Sequence, residues 1–147
     1  MKPLPVAASV VILFAAAFLF LQPIFTNIQN WGIYDWDQHM FYHESGKIAL
    51  LTFSQVPLWT PYYCGGNVLL ANPQSPYFSP FFVFVLLFGS VVGLKVEALV
   101  FLALGLAGTF LVARRLGCSR SASIFAAIVF MFSSWFAARI AAGHTTF

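Results

Sequence analysis

LKVEALVFLALGLAGTFLVA, residues 94–113, is the stretch of sequence that decides the fold class. A helix of about 20 residues rises about 30 Å, which matches the hydrocarbon core of a bilayer. Two further apolar stretches carry no charge: residues 6–25, VAASVVILFAAAFLFLQPIF, and residues 121–138, SASIFAAIVFMFSSWFAA. The sequence therefore predicts an all-α integral membrane protein with three transmembrane helices.

The composition of the whole chain favours the same class. Of its 147 residues, 61% are hydrophobic and 7% are charged, whereas a soluble domain has about 25% charged residues. So few charged side chains do not cover a water-facing surface, and membrane lipid is the expected surrounding. The formal net charge of +3 comes with no basic cluster larger than three arginines, so a nucleic-acid partner is not expected.

Positive charges assign the two sides of the membrane. Lys2 precedes the first stretch, and the three arginines lie at residues 114–120, between the second and third stretches. Positive side chains favour the cytoplasmic side. This bias predicts an inner turn at residues 114–120 and a single long outer loop at residues 27–93.

One segment leaves an alternative topology open. Residues 80–93, PFFVFVLLFGSVVG, would make a fourth helix if they crossed the membrane, and the arginines would then lie outside. Their apolar run is short, opens with Pro80 and is interrupted by Gly89 and Gly93. These features and the charge bias favour an interfacial or re-entrant segment and three spans.

The outer loop collects most of the ionisable side chains. In the three-span topology all four acidic residues and all three histidines lie on the outer side, and ionisable groups held near a membrane mark function by default. Asp37, Phe41, Glu44 and Ile48 are spaced to share one helical face, which predicts a juxtamembrane helix from about Asp37. Residues 56–80 are rich in Pro, Gly and Asn and are predicted to be irregular.

One Asp/His group has a spacing that bears on metal binding, and the two cysteines bear on disulfide formation. Asp35, His39 and His43 are spaced four residues apart, so one helix could present them to a metal, but three such ligands make a weak case and solvated histidines are the default. No cofactor is predicted, and a divalent metal stays an open alternative. Cys64 and Cys118 fall on opposite sides of the membrane and are predicted not to form a disulfide.

Several motifs occur in a characteristic order along the chain. An acidic pair in YDWDQ, residues 34–38, follows an uncleaved first span, and a juxtamembrane helix and a Pro-led half-helix ending in Gly come next. Spans with ARRLG and SASIFAA at their ends complete the order. It resembles the start of a glycosyltransferase of the GT-C superfamily. Residues 57–80, PLWTPYYCGGNVLLANPQSPYFSP, with Gly143-His144, most resemble the YfhO-type bacterial branch, which usually has Asn in place of Thr60.

The resemblance covers nearly the whole chain and implies a function. Such enzymes move a sugar from a polyprenyl-phosphate donor to an acceptor at the outer face of the bacterial inner membrane, and an Asp of the first outer loop is the base. Asp37, and after it Asp35, is the expected base in this chain. The residues expected to bind the substrates are Lys47, Lys95, Arg139, Glu44, Trp59, Tyr62, Asn72, Gln74 and His144.

Two expectations concern what completes the protein. Enzymes of this superfamily have many more spans than three, so we expect this chain to be the N-terminal part of a GT-C fold, with the remaining spans of a longer parent chain as its partner. The alternative is a non-catalytic membrane subunit, or a transporter fragment, that binds lipid or a partner helix. Charged residues inside the spans would favour transport, and the first and third spans contain none.

Overall fold

The structure, a computed structural model, describes residues 6–144. This part of the chain is mostly helical, which confirms the all-α class. A small antiparallel hairpin lies in the irregular segment, where Trp59 pairs with Val68 and Thr60 with Asn67. The elements in chain order are α1 Val6–Phe20, α2 Gln22–Thr26, α3 Trp36–Leu51, β1 Trp59–Thr60, β2 Asn67–Val68, α4 Phe82–Arg115, α5 Arg120–Met131 and α6 Ser134–Ala141.

Three apolar helices form the main core. Leu13 and Ala17 of α1 pack in one cluster with Leu102 and Leu106 of α4 and Ala127 of α5, and each of these side chains is at most 2% exposed. The alanines at these contacts let the helix backbones approach closely, as is typical of helix packing in lipid. The three predicted spans are therefore neighbours around one core.

The length and continuity of the apolar helices differ. α4 is long and apolar enough to cross a bilayer, whereas α1 is a shorter apolar helix. α5 and α6 together meet the same criterion only as one broken span, because they are bent by 46° at their junction. Among residues 6–144, α4 is thus the one helix that meets the criterion by itself. Lys2 lies outside the described residues.

Gly89 divides α4 into two parts. Its backbone angles, φ +80° and ψ 166°, are non-helical and belong to a region that only glycine adopts readily. A Cβ built on Gly93 would lie 2.6 Å from the Cα of Val85, although eight residues of continuous helix would span about 12 Å. The half-helix before Gly89 therefore folds back and packs against the first helical turn after Gly89. The long part of α4 begins at Ser90 and not at the predicted residue 94.

α3 is the predicted juxtamembrane helix and packs against α4. It begins at Trp36, one residue before the predicted start, with Asp37 in its first turn. Trp36 and Met40 pack with Leu94 of α4 in a second, smaller core cluster. Ser119 accepts a hydrogen bond from the Ala122 N–H and caps α5, as its position before the third stretch predicts.

Candidate functional site

The beginning of α3 contacts the end of α6 through one backbone and one side-chain hydrogen bond. The Asp35 N–H donates to the Ala142 carbonyl at 3.1 Å, and the Trp36 Nε1–H donates to the Ala141 carbonyl at 3.2 Å. Gly143 has φ +99°, and a Cβ there would lie 2.6 Å from the Trp36 nitrogen. Glycine is needed at this position because the two backbones approach so closely. The contact joins the start of α3 to the last described residues of the chain.

Asp35 and His144 form an acid–imidazole pair beside this contact. The His144 Nε2 lies 3.5 Å from the Asp35 Oδ2, and the side chains are 26% and 53% exposed. Asp35 occupies the N-cap position of α3 but makes no capping hydrogen bond with its side chain. The carboxylate is therefore turned toward the imidazole and solvent, while the helix N-terminus still favours its ionised form.

His39 is a buried side chain whose ring contacts that of His144. Its ring centroid lies 5.2 Å from that of His144 in an edge-to-face arrangement. The side chain is 5% exposed, and its Nε2 has no hydrogen-bond partner among residues 6–144. Burial lowers the pKa of His39, the charges of His144 and His43 lower it further, and Asp35 and Glu97 oppose them in part. His39 is therefore a neutral imidazole at neutral pH.

His43 and Glu97 form a buried pair below His39. The His43 Nδ1 lies 2.6 Å from the His39 carbonyl and its Nε2 lies 3.2 Å from the Glu97 Oε2. A carbonyl only accepts, so the Nδ1 must carry a proton. The contact between the His43 Nε2 and the Glu97 Oε2 then joins either an imidazolium to a carboxylate or an imidazole to a carboxylic acid. In both forms one proton lies between these two atoms.

A cavity of about 210 Å³ lies between α3 and the segment that follows the hairpin. It is lined by polar side chains and by proline rings. Asn72 fixes the backbone of the lining residue Gln74, because the Asn72 Oδ1 accepts a hydrogen bond from the Gln74 N–H at 2.9 Å. The lining includes His39, His43, Pro73, Gln74, Ser75 and Ser79.

Asp37 lies in a different environment from Asp35. Its Oδ1 accepts a hydrogen bond from the Gln38 N–H at 2.7 Å, and its side chain lines a cavity of about 220 Å³ with Trp31 and Glu44. None of the residues lining this cavity is a histidine. The two aspartates predicted as alternatives for the base therefore differ in surroundings: Asp37 lines this cavity, whereas Asp35 lies beside His144 and is half-exposed.

Glu44 and Lys47 form an ion pair that bridges to α4. The Lys47 Nζ lies 2.6 Å from the Glu44 Oε2, which also accepts a hydrogen bond from the Ser90 hydroxyl. Burial raises the pKa of Glu44, but the hydrogen bonds from Lys47 and Ser90 outweigh it and hold the pKa below its ordinary value. These two predicted substrate-binding residues thus hold α3 against the start of the long part of α4.

Lys95 has a different position from the one expected for a phosphate-binding residue. It is 3% exposed, and its Nζ donates to the carbonyls of Asn27, Ile28 and Asn30 at 3.1, 2.7 and 2.6 Å. An ammonium group has three donors, and all three are used here. Lys95 therefore fixes the chain after α2. Arg139 instead lies exposed on α6, 5.3 Å from the ring of Trp135.

Trp59 and Tyr62 belong to a separate cleft. With Phe53 and Leu58 they line a largely apolar cleft of about 620 Å³ beside the hairpin. The predicted substrate-binding residues are thus distributed over several places. Asp35 and His144 are brought together. Gln74 lines the cavity beside His39, and Asn72 is hydrogen-bonded to Gln74. Trp59 and Tyr62 lie apart from both.

The buried histidines are the part of the site that sequence reasoning did not identify. Their spacing with Asp35 suggests only a weak metal site, and residues 6–144 contain no group of three or more such side chains arranged to hold a metal. One signal was present in the sequence. Glu97 is an acidic residue within an apolar stretch, where a charged side chain requires a partner.

Comparisons of the chain with protein-family models, with curated proteins and with solved structures found no match. We therefore base the functional proposal on the geometry of the site and on the resemblance carried by the sequence motifs.

Proposed function

We propose that this chain takes part in glycosyl transfer at the outer face of the bacterial inner membrane, as a relative of the YfhO-type branch of the GT-C superfamily. The donor is a polyprenyl-phosphate sugar and the base is Asp35. An acceptor hydroxyl gives its proton to the carboxylate while its oxygen attacks the anomeric carbon. The bond from that carbon to the phosphate oxygen breaks, and the lipid phosphate leaves with the electron pair.

The pairing of Asp35 with His144 is the observation that carries the proposal. A general base must be ionised, accessible and held in place. The carboxylate is half-exposed and stands at a helix N-terminus that favours its charge. The backbone that carries it is fixed to the end of α6 by the hydrogen bonds of the Asp35 N–H and the Trp36 indole. His144 orients the carboxylate from the side. Asp37 has no histidine partner among the described residues. We therefore propose Asp35 as the base and Asp37 as the second candidate, which reverses the order suggested by the sequence.

A three-span topology gives this site its location. α1, the long part of α4, and the bent α5–α6 segment would cross the membrane, and the half-helix before Gly89 would lie at the interface. The inner turn then holds the arginines between α4 and α5, in accord with the positive-inside bias. α3 and the hairpin lie outside, where a lipid-linked sugar is presented.

The cation for the departing phosphate is proposed to be Arg139. The donors of Lys95 are used by backbone carbonyls and Lys47 is paired with Glu44. Arg139 is exposed, and it lies on the same short helix whose last residues hold Asp35 and Trp36. A guanidinium group binds phosphate oxygens through parallel hydrogen bonds.

A second candidate function is lipid binding without catalysis. An apolar groove of about 570 Å³ between α4 and the α5–α6 segment is lined by Phe101, Leu104, Gly105, Met131 and Trp135. A lipid or prenyl chain suits such a lining. If the protein transfers a sugar, the groove would hold the prenyl chain of the donor. If it does not, binding a lipid in this groove would be its function.

Donor turnover separates the two candidates. The protein, expressed from its own gene and reconstituted in nanodiscs, is given polyprenyl-phosphate hexoses labelled in the sugar. We expect label to leave the lipid in the wild type and to remain on it in Asp35→Asn, with donor binding retained in both. Binding without turnover in the wild type would establish the lipid-binding function instead.

A further inference from the structure

The cavity beside His39 contains a buried polar atom without a partner. His39 is 5% exposed and lines the cavity, and its Nε2 makes no hydrogen bond within the described residues. Buried polar side chains in native proteins nearly always have a partner, and leaving one unpaired costs about 1–3 kcal/mol. Ser75, Ser79 and Gln74 surround the same space. The atom is therefore placed to bind a polar ligand.

We propose that this cavity binds the neutral sugar ring of the glycosyl acceptor, through hydrogen bonds from its hydroxyl groups to His39, Gln74 and Ser75. The inference rests on the proposed function, because it names the group that the base Asp35 would deprotonate. The sequence predicted Gln74 as a substrate-binding residue but did not group it with His39 and Ser75 in one site.

The lining matches hydroxyl groups better than charged groups. Neither Lys nor Arg is among the described residues that line the cavity, and His39 is held neutral by its lowered pKa. An amide and two hydroxyls both donate and accept, and a neutral imidazole nitrogen does one or the other according to its tautomer, which suits vicinal sugar hydroxyls. Pro73 and Pro76 add apolar surface for the C–H face of a ring.

The size of the cavity limits the ligand to about one ring. Pockets for drug-sized ligands measure about 300–1,000 Å³, and this one measures about 210 Å³. Its volume equals about seven waters at about 30 Å³ each. A single hexose unit at the end of an acceptor is the ligand class that combines this size with several hydroxyl groups.

The location of the cavity assigns the ring to the acceptor rather than to the donor. The His39 ring lines the cavity and lies 5.2 Å from His144, whose Nε2 lies 3.5 Å from the Asp35 Oδ2. A ring bound against His39 is thus next to the carboxylate that removes the acceptor proton. The prenyl chain of the donor would lie elsewhere, in the apolar groove between α4 and the α5–α6 segment.

The test uses methyl glycosides of glucose, galactose and mannose as probes. Their binding to the full chain in nanodiscs is measured by ligand-observed NMR, with inorganic phosphate as the charged comparison. We expect at least one hexoside to bind, phosphate not to bind, and Gln74→Ala to weaken hexoside binding about tenfold or more. Gln55→Ala is the matched control, because Gln55 is also exposed but lines the cleft beside the hairpin; it should bind as the wild type does.

The outcomes are distinct from those of the turnover experiment. Binding of none of the three hexosides, equal binding by Gln74→Ala, or a preference for phosphate would overturn the acceptor site. Competition between the hexoside and a short-chain prenyl-phosphate hexose would overturn its assignment to the acceptor. Asp35→Asn should keep hexoside binding. If Asp35 is not the base, hexoside binding would still be observed. If no hexoside binds, the effect of Asp35→Asn on turnover would still test the base.

Discussion

The Nε2 of His43 lies 3.2 Å from the Oε2 of Glu97, and the two side chains are 2% and 0% exposed. They are 54 residues apart in sequence and join α3 to the long part of α4. The second carboxyl oxygen of Glu97 has no partner among the described residues. The pair is therefore the buried polar connection on which the position of α3 depends.

Removing Glu97 alone is expected to be costly. Breaking a buried pair leaves one polar group unpaired and typically costs about 3–5 kcal/mol, so Glu97→Ala should lower the free energy of unfolding by about that amount. Glu44→Ala is the matched control, because Glu44 joins the same two helices from a 43% exposed position and exposed pairs contribute about 1 kcal/mol or less. Denaturant unfolding in mild detergent measures both, and equal losses would contradict a special role for the buried pair.

The double replacement His43→Leu with Glu97→Leu gives the complementary result. Both polar groups are then absent and neither is left unpaired, and such replacements of buried pairs are often neutral or stabilising. We expect the double variant to be more stable than Glu97→Ala. A loss equal to the sum of the two single losses would show that the side chains act independently.

Stability should fall in mild acid because His39 is buried as a neutral imidazole. Its pKa in the folded chain is below the ordinary value of 6.5, so the unfolded chain binds more protons as the pH drops through about 6.5. The free energy of unfolding then decreases until the pH reaches the folded pKa. The lowered pKa of Glu44 acts only below its ordinary value of 4.5. We expect His39→Gln to reduce the loss between about pH 6.5 and pH 5, and an unchanged pH profile would contradict the buried neutral state.

Gly89 should tolerate no other residue without a loss of stability. Its φ of +80° and ψ of 166° cost about 1–3 kcal/mol for a residue with a side chain. Gly89→Ala should therefore destabilise the fold-back of α4 by about that amount, measured as a shift of the thermal unfolding midpoint. Gly108 lies in the helical part of α4, and a Cβ there meets nothing within 4 Å. Gly108→Ala is therefore the control and should be neutral or mildly stabilising, and equal effects would argue against the strained turn.

Local patterns predicted the elements well. The spacing of Asp37, Phe41, Glu44 and Ile48 predicted the start of α3 to within one residue, because a helical face is a short-range feature of the sequence. Gly89 marked the break in α4 because a glycine inside an apolar run signals a local change of backbone. The helical class and the neighbouring apolar stretches followed from hydropathy alone.

Contacts between distant parts of the chain were beyond such patterns. No spacing relates Asp35 to His144 or His43 to Glu97, because these pairs form only after α3 docks on α4 and α6. The resemblance places Lys95 among the substrate-binding residues, where an ammonium group would neutralise a lipid phosphate. Its burial beneath three backbone carbonyls depends on how the chain turns after α2, which short-range patterns do not specify.

The membrane topology can be tested with the two native cysteines. Cys64 and Cys118 are both free and exposed, and the proposed topology places them on opposite sides. Cys118→Ser leaves Cys64 as the single thiol, and Cys64→Ser leaves Cys118. In right-side-out vesicles a membrane-impermeant maleimide should label Cys64 directly and Cys118 only after permeabilisation. Labelling of both from the same side would support four spans instead of three.

The comparison of Asp35→Asn with Asp37→Asn tests the central claim most directly. Each change keeps the size of the side chain and removes the proton acceptor, and the two positions are separated only by Trp36. The measurement is the rate at which labelled hexose leaves its polyprenyl-phosphate carrier, with donor binding measured in parallel. We predict a fall in kcat of about 10²–10⁴ for Asp35→Asn with donor affinity retained, and less than about a threefold change for Asp37→Asn. Turnover that survives in Asp35→Asn and is lost in Asp37→Asn would contradict the account.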